Sequence, residues 1–122
     1  MMDDAKGLSE VPNNIIVNVM KTIFGLDDVA DVLRQAYCSS IEVIIDPIER
    51  YMVETLTIDT FCNVAECAWD YYTESMYLQK ACGAFLNHNW MEITHSAEFL
   101  SLNSEIIKHV MIEANHVVFD QM

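Results

Sequence analysis

The sequence predicts an all-α protein, a bundle of about six short helices stacked as antiparallel hairpins. Between Leu56 and Leu102, apolar residues recur at helical spacing. Phe61, Val64, Ala65, Ala68 and Tyr72 form one stripe. After a break at Tyr72-Thr73-Glu74-Ser75, a second stripe follows at Leu78, Ala81, Cys82, Phe85 and Leu86. Two short amphipathic helices joined by a few polar residues must bury their faces against each other. Ala65, Ala68, Ala81, Gly83 and Ala84 are small enough to let the two backbones come close. Hydrophobic residues make up 52% of the chain, with 3 Gly and 2 Pro, which describes a packed chain with few breakers.

The elements follow in chain order. Met1 to Pro12 is polar and acidic, with Gly7 and Pro12 as breakers, and is expected to be loosely attached. Asn13 or Asn14 is expected to cap a first helix carrying Ile15, Ile16, Val19, Met20 and Ile23, ended by Gly25. The β-branched run Ile15, Ile16, Val17 and Val19 leaves a strand open as the alternative. Asp27 is the expected cap of the next helix, whose stripe is Val29, Val32, Leu33, Ala36 and Tyr37. Ile41 to Ile45 leads into Asp46-Pro47-Ile48-Glu49, which reads as a helix start with a capping Asp, a first-position Pro and a Glu three residues after the cap. That helix buries Ile48, Tyr51, Met52 and Leu56. Beyond the central pair, Trp90 to Leu102 reads as one or two short turns. Asn103-Ser104-Glu105 opens the last helix, with Ile106, Ile107, Val110, Met111 and Ala114 inward, and His116 to Met122 is expected to fray. Boundaries are expected near residues 25 and 56, giving segments 1–25, 26–56 and 57–122.

Charge and cysteines restrict the functional classes. Six basic residues against 19 acidic ones give a formal charge of −13, a surface that repels phosphate backbones and anionic lipid and favours a basic protein partner. Nucleic acid and membrane are therefore not expected as partners. The acidic N-terminus lacks the apolar segment of a signal peptide, and a cytoplasmic location is expected. Cys38, Cys62, Cys67 and Cys82 fall on apolar helix faces and read as small hydrophobes in a reducing compartment. Cys62 and Cys67 lie about 140° apart around a helix, which does not suit a shared metal, so no metal or other cofactor is expected.

No stretch reads as catalytic. Glu66, Asp70 and Glu74 recur every four residues, but a solvated acidic stripe accounts for them better than a carboxylate site. His88, His95, His109 and His116 sit at or near helix ends, and Cys82 lies in an apolar stripe. There is no phosphate-binding glycine loop, nucleophile elbow or His-Glu-x-x-His. The chain is expected not to be an enzyme. Trp69 and Tyr71 lie off the main stripe of their helix, and an aromatic rimmed by acid is a candidate docking residue.

The spacing from Leu56 to Leu102 resembles the BACK domain, the helical module that follows the BTB/POZ fold in many adaptor proteins. The matching residues are Leu56, Thr57, Asp59, Cys62, Val64 and Ala68, then Tyr72, Leu78, Cys82, Phe85, Leu86 and Asn89, and then Phe99 and Leu102. Upstream, Asp28 to Tyr37 and Ile41 to Met52 are similar to the last two helices of a BTB domain, although Pro47 interrupts the second and the strand-rich N-terminal half of that domain has no counterpart here. The resemblance spans about residues 26 to 112. It implies an adaptor that helps recruit substrates to a cullin-RING ubiquitin ligase, with a cullin scaffold or a BTB-containing protein as partner. The alternative is a stand-alone helical regulator that binds or competes with a BTB-containing partner. The resemblance also implies that Val29, Val32, Leu33, Tyr37, Ile48 and Met52 face the missing half. Left exposed, they would draw the chain into oligomers.

Overall fold

In the computed structural model, residues 11–70 and 75–120 are described, with side chains as far as residue 115. Among these residues there are eight helices and no strand. They fall into two compact units, Met1–Glu54 and Thr55–Met122. No helix among the described residues is long and apolar enough to cross a membrane.

The first unit begins with α1, Asn13–Phe24. The strand alternative for Ile15–Val19 is overturned, and so is the asparagine cap. Pro12 precedes the helix and its carbonyl accepts from the Ile15 and Ile16 amides at 3.1 and 3.3 Å. Gly25 closes α1 as expected, at φ 68°, and Leu26 N–H reaches back to the Lys21 carbonyl at 2.9 Å. The buried side chains of α1 are Ile16 and Val17. Of the expected inward stripe, Ile15, Val19 and Ile23 are 48%, 49% and 65% exposed. The apolar face of α1 is wider than the arc that packs, so the stripe read from periodicity takes in residues that stay exposed.

Helix α2, Val29–Cys38, is capped by Asp28 and not by the expected Asp27: Asp28 Oδ1 accepts from the Asp31 amide at 3.1 Å. Asp28→Ala is expected to cost about 1 kcal/mol in chemical denaturation, whereas Asp27→Ala should stay within about 0.5 kcal/mol. The helix ends with Ser40 at φ 57°, where glycine is the usual occupant. Ser40 N–H bonds the Tyr37 carbonyl and Ile41 N–H the Ala36 carbonyl, which fixes the turn.

Helix α3 runs over Glu42–Glu54 with Pro47 inside it, so the helix start expected at Asp46 is overturned and Ile41–Ile45 is not a separate lead-in. Pro47 brings no N–H to the Val43 carbonyl, a loss that is tolerable here because Val43 is 62% exposed and water can replace the donor. Helices α1, α2 and α3 pack on one another. Their core is Ile16, Val17, Val32, Leu33, Ala36, Ile48 and Met52. Residues 13–24 lie in the same compact unit as α2 and α3.

In the second unit, Thr57 and Thr60 cap each other ahead of α4. Thr57 N–H donates to Thr60 Oγ1 at 2.9 Å, and Thr60 N–H to Thr57 Oγ1 at 3.2 Å. Helix α4, Phe61–Ala68, presents the expected stripe, with Phe61, Val64, Ala65 and Ala68 all buried. Tyr72 lies outside the described residues. Ser75 caps α5, Met76–His88, through the Leu78 amide at 3.2 Å. The expected one or two turns are α6, Trp90–Thr94, and α7, Ala97–Leu100. Helix α8 continues over Ser104–Asp120, past the point where fraying is expected.

Helix α5 is the centre of this unit, but its most extensive partner is α8, with α4 second. One side-chain amide ties it to each. Asn87 Nδ2 donates to the Ala114 carbonyl at 3.3 Å, and Gln79 Nε2 to the Ala68 carbonyl at 3.0 Å. Gly83 faces α8, where an added Cβ would lie 2.6 Å from Glu113 Cβ. The close approach it permits is therefore with α8, not with α4 as the paired stripes suggest.

Candidate functional site

Of the six residues read as interaction residues, two are core residues of the first unit. Leu33 and Met52 are 0% and 1% exposed and belong to the core of the first unit. Side chains sequestered in this way cannot dock a partner without the unit opening, so these two are removed from the candidate surface. Val29 and Tyr37 are half-buried. Trp69 is half-buried at the end of α4 and stacks on His109 of α8, with ring centroids 6.4 Å apart and planes 13° from parallel. Much of its face is thereby used inside the second unit. Tyr71 lies outside the described residues.

Two features of the first unit face outward. One is the α1 stripe of Ile15, Val19 and Ile23. Their i, i+4, i+8 spacing places them along one side of the helix, opposite buried Val17 and flanking buried Ile16. The second is an open concavity of about 380 Å³ lined by Tyr37 and Ser40 from the end of α2 and by Glu42, Ile45, Asp46 and Glu49 from α3. Glu49, only 7% exposed, accepts from Tyr37 Oη at 2.6 Å. Sequence reasoning missed this residue, because it gave Glu49 a local role at a helix start. Its actual partner lies twelve positions away.

In the second unit, a concavity of about 370 Å³ is lined by Cys62, Asn63, Glu66, Ala97, Glu98, Ser101 and Leu102. It contains a thiol between carboxylates, but burial, and then the charges of Glu98 and Glu66, push the Cys62 thiol upward. A thiolate there is disfavoured, the reverse of what a nucleophile needs. Cys82, in the apolar stripe of α5, is fully buried and its thiol is pushed far up by desolvation and by Cys67 and Cys62. Glu66 and Asp70 are exposed and half-buried, and Glu74 lies outside the described residues.

The thiols give a direct check. Cys38 is exposed and Cys62 half-buried, whereas Cys67 and Cys82 are buried. Alkylation of the native protein is expected to modify Cys38 first and Cys62 slowly, and to reach Cys67 and Cys82 only in denaturant. Because its thiol is raised, the Cys62 rate should still be climbing with pH above the ordinary thiol range. Peptide mapping by mass spectrometry reads all four sites.

Comparison of the chain with protein-family models, with curated proteins and with solved structures finds no match. Its function is read from its own geometry. That geometry places an exposed apolar stripe and an acid-lined concavity on the first unit, and buries Cys67, Cys82, Phe61 and Phe99 in the second.

Proposed function

We propose that this chain is a non-enzymatic protein-interaction module acting in the cytoplasm. The observation that carries this reading is the α1 stripe. Ile15, Val19 and Ile23 are each about half exposed or more, at spacing suited to a helix-in-groove or helix-on-helix contact. Three aligned β-branched side chains left in water on one helix are accounted for by a partner that covers them.

The more specific form comes from the sequence. The resemblance of residues 26–112 to BTB and BACK helices assigns the module to substrate recruitment for a cullin-RING ubiquitin ligase, with a cullin scaffold or a BTB-containing protein as the partner. One structural observation favours the second form, a stand-alone helical regulator. The side chains that would face a missing BTB half, Val32, Leu33, Ile48 and Met52, are already buried in a unit where α1 packs on α2 and α3. Side chains covered in this way do not drive self-association.

The test is capture from cell extract, read by quantitative mass spectrometry, with the chain and with the triple variant Ile15→Gln, Val19→Gln, Ile23→Gln as baits. The expected result is a cullin or a BTB-containing protein on the first bait and its loss from the second, whose melting curve should be nearly unchanged. Failure to recover either class in repeated captures removes the ligase reading. Equal recovery on both baits removes α1 as its docking face.

A further inference from the structure

The concavity between α2 and α3 has a property that a mere patch of surface acid lacks. Glu49 lines it while being more than nine-tenths buried, and only one of its oxygens, Oε2, is engaged, by Tyr37 Oη. Among the described residues, no other group donates to the Glu49 carboxylate. Every fully buried side-chain oxygen or nitrogen among the described residues has a partner, so Oε1 keeps some exposure, and Glu49 is one of the residues that line this concavity. A buried carboxyl oxygen presented in this way is a preformed acceptor. Tyr37, itself hydrogen-bonded, holds the carboxyl in place from behind.

The other lining groups define what fits. Glu42 and Asp46 add carboxyls, Ser40 a hydroxyl, and Ile45 and the Tyr37 ring apolar and π surface, with no lysine or arginine among the described lining residues. Asp46 is paired with Arg50 at 3.0 Å, but both side chains are more than half exposed, and an exposed pair of this kind is easily exchanged. Among the described residues, no group of three or more His, Cys, Asp or Glu is placed as a metal-ligand set. The complementary ligand is an organic cation with several donors and a flat face. A guanidinium satisfies this description better than an ammonium, because it can fork across two carboxyls and stack on an aromatic ring while its stem lies along an aliphatic side chain.

We propose that this concavity receives an arginine side chain from a basic segment of a partner protein. The formal charge of −13 draws such a segment in, and Glu49 fixes where one of its arginines is held. The inference rests on reading the chain as a protein-interaction module.

The experiment uses the full chain and three probes, namely a fluorescent arginine-rich peptide, its lysine-for-arginine counterpart and N-acetyl-arginine amide. Binding of the peptides is followed by anisotropy, and the small probe is scored as competitor. The arginine peptide is expected to bind several-fold tighter than the lysine peptide. Glu49→Gln should weaken it about tenfold. Glu42→Gln, at an exposed lining position, should weaken it several-fold with no loss of fold. Glu54→Gln makes the same charge change outside the concavity and should alter affinity less than twofold.

Equal losses in the Glu49, Glu42 and Glu54 variants would mean diffuse attraction to an acidic surface and would overturn the proposal. So would equal affinity for both peptides, or a small probe that binds as tightly as the peptide, which would mark a small-molecule site. Thermal melts of each variant separate lost binding from lost fold. If the peptide results fail while capture still depends on the α1 stripe, the interaction-module reading stands and the arginine site falls. If the peptide results hold while extract yields no cullin or BTB protein, the site stands and the ligase reading falls.

Discussion

Replacing Phe61 by alanine is expected to lower stability by about 4 kcal/mol, the largest effect of any single apolar truncation in the second unit. Phe61 is fully buried in the first turn of α4. Its ring stacks on Phe85 of α5, with centroids 5.9 Å apart and planes 20° from parallel, and it meets Phe99 of α7 at 6.4 Å and 38°. Removing it deletes one ring that three helices share, and the fixed backbones around it cannot close the void. A loss of this size consumes a large share of the roughly 5–15 kcal/mol that folds a typical domain, and it should lower the melting temperature by roughly 15 °C or more. Phe61→Leu keeps most of the volume and should cost only about 1–1.5 kcal/mol. Urea denaturation followed by far-UV circular dichroism reads both. An alanine variant within about 1 kcal/mol of the parent would mean that the aromatic cluster is not the core of this unit.

The position of Phe61 in that core was legible in the sequence because α4 has strong contrast between its faces. Phe61, Val64, Ala65 and Ala68 repeat at helical spacing against Asn63 and Glu66, which are exposed. The same holds for Leu78, Cys82 and Leu86 on α5. Gly25 also declared itself, since a glycine after an apolar helical run needs only local geometry to act as a terminator. Helix α1 was misread because its apolar face is wider than the arc that packs, and the misplaced arc concealed the exposed stripe on which the interaction reading now rests.

The acid-lined concavity was illegible for a different reason. Its floor depends on a hydrogen bond between Tyr37 and Glu49, on two helices, and no local pattern encodes a non-local pair. Glu49 even satisfied a local rule, as the third residue after an Asp-Pro start, and that rule lost to packing. The run Ile41–Ile45 supplies apolar residues for a longer helix, with Ile44 buried, and this outweighs the single hydrogen bond that Pro47 removes. Tyr37 was singled out by resemblance to a family helix, and its place beside the concavity is an independent reason to test it.

Gly83→Ala is expected to destabilise the protein by about 2 kcal/mol, against the direction that helix propensity alone gives. Alanine in place of glycine inside a helix ordinarily gains about 1 kcal/mol. Here the new Cβ would lie 2.6 Å from Glu113 Cβ, 2.8 Å from the Glu113 carbonyl carbon and 3.0 Å from its oxygen. Two of those atoms are α8 backbone, which cannot rotate aside as a flexible side-chain tip would. The helices must separate, loosening the contact of α5 with its most extensive partner and the bond from Asn87 to the Ala114 carbonyl. Gly25→Ala is the matched control. Nothing lies within 4 Å of its added Cβ, yet φ is 68°, so its cost of about 1 kcal/mol comes from backbone strain alone. The two variants should therefore differ in a second readout. Hydrogen exchange in α5 and α8 should accelerate in Gly83→Ala and stay near the parent in Gly25→Ala. A Gly83→Ala protein that melts above the parent would show that α5 and α8 have room between them, and the close crossing at the centre of the second unit would be wrong.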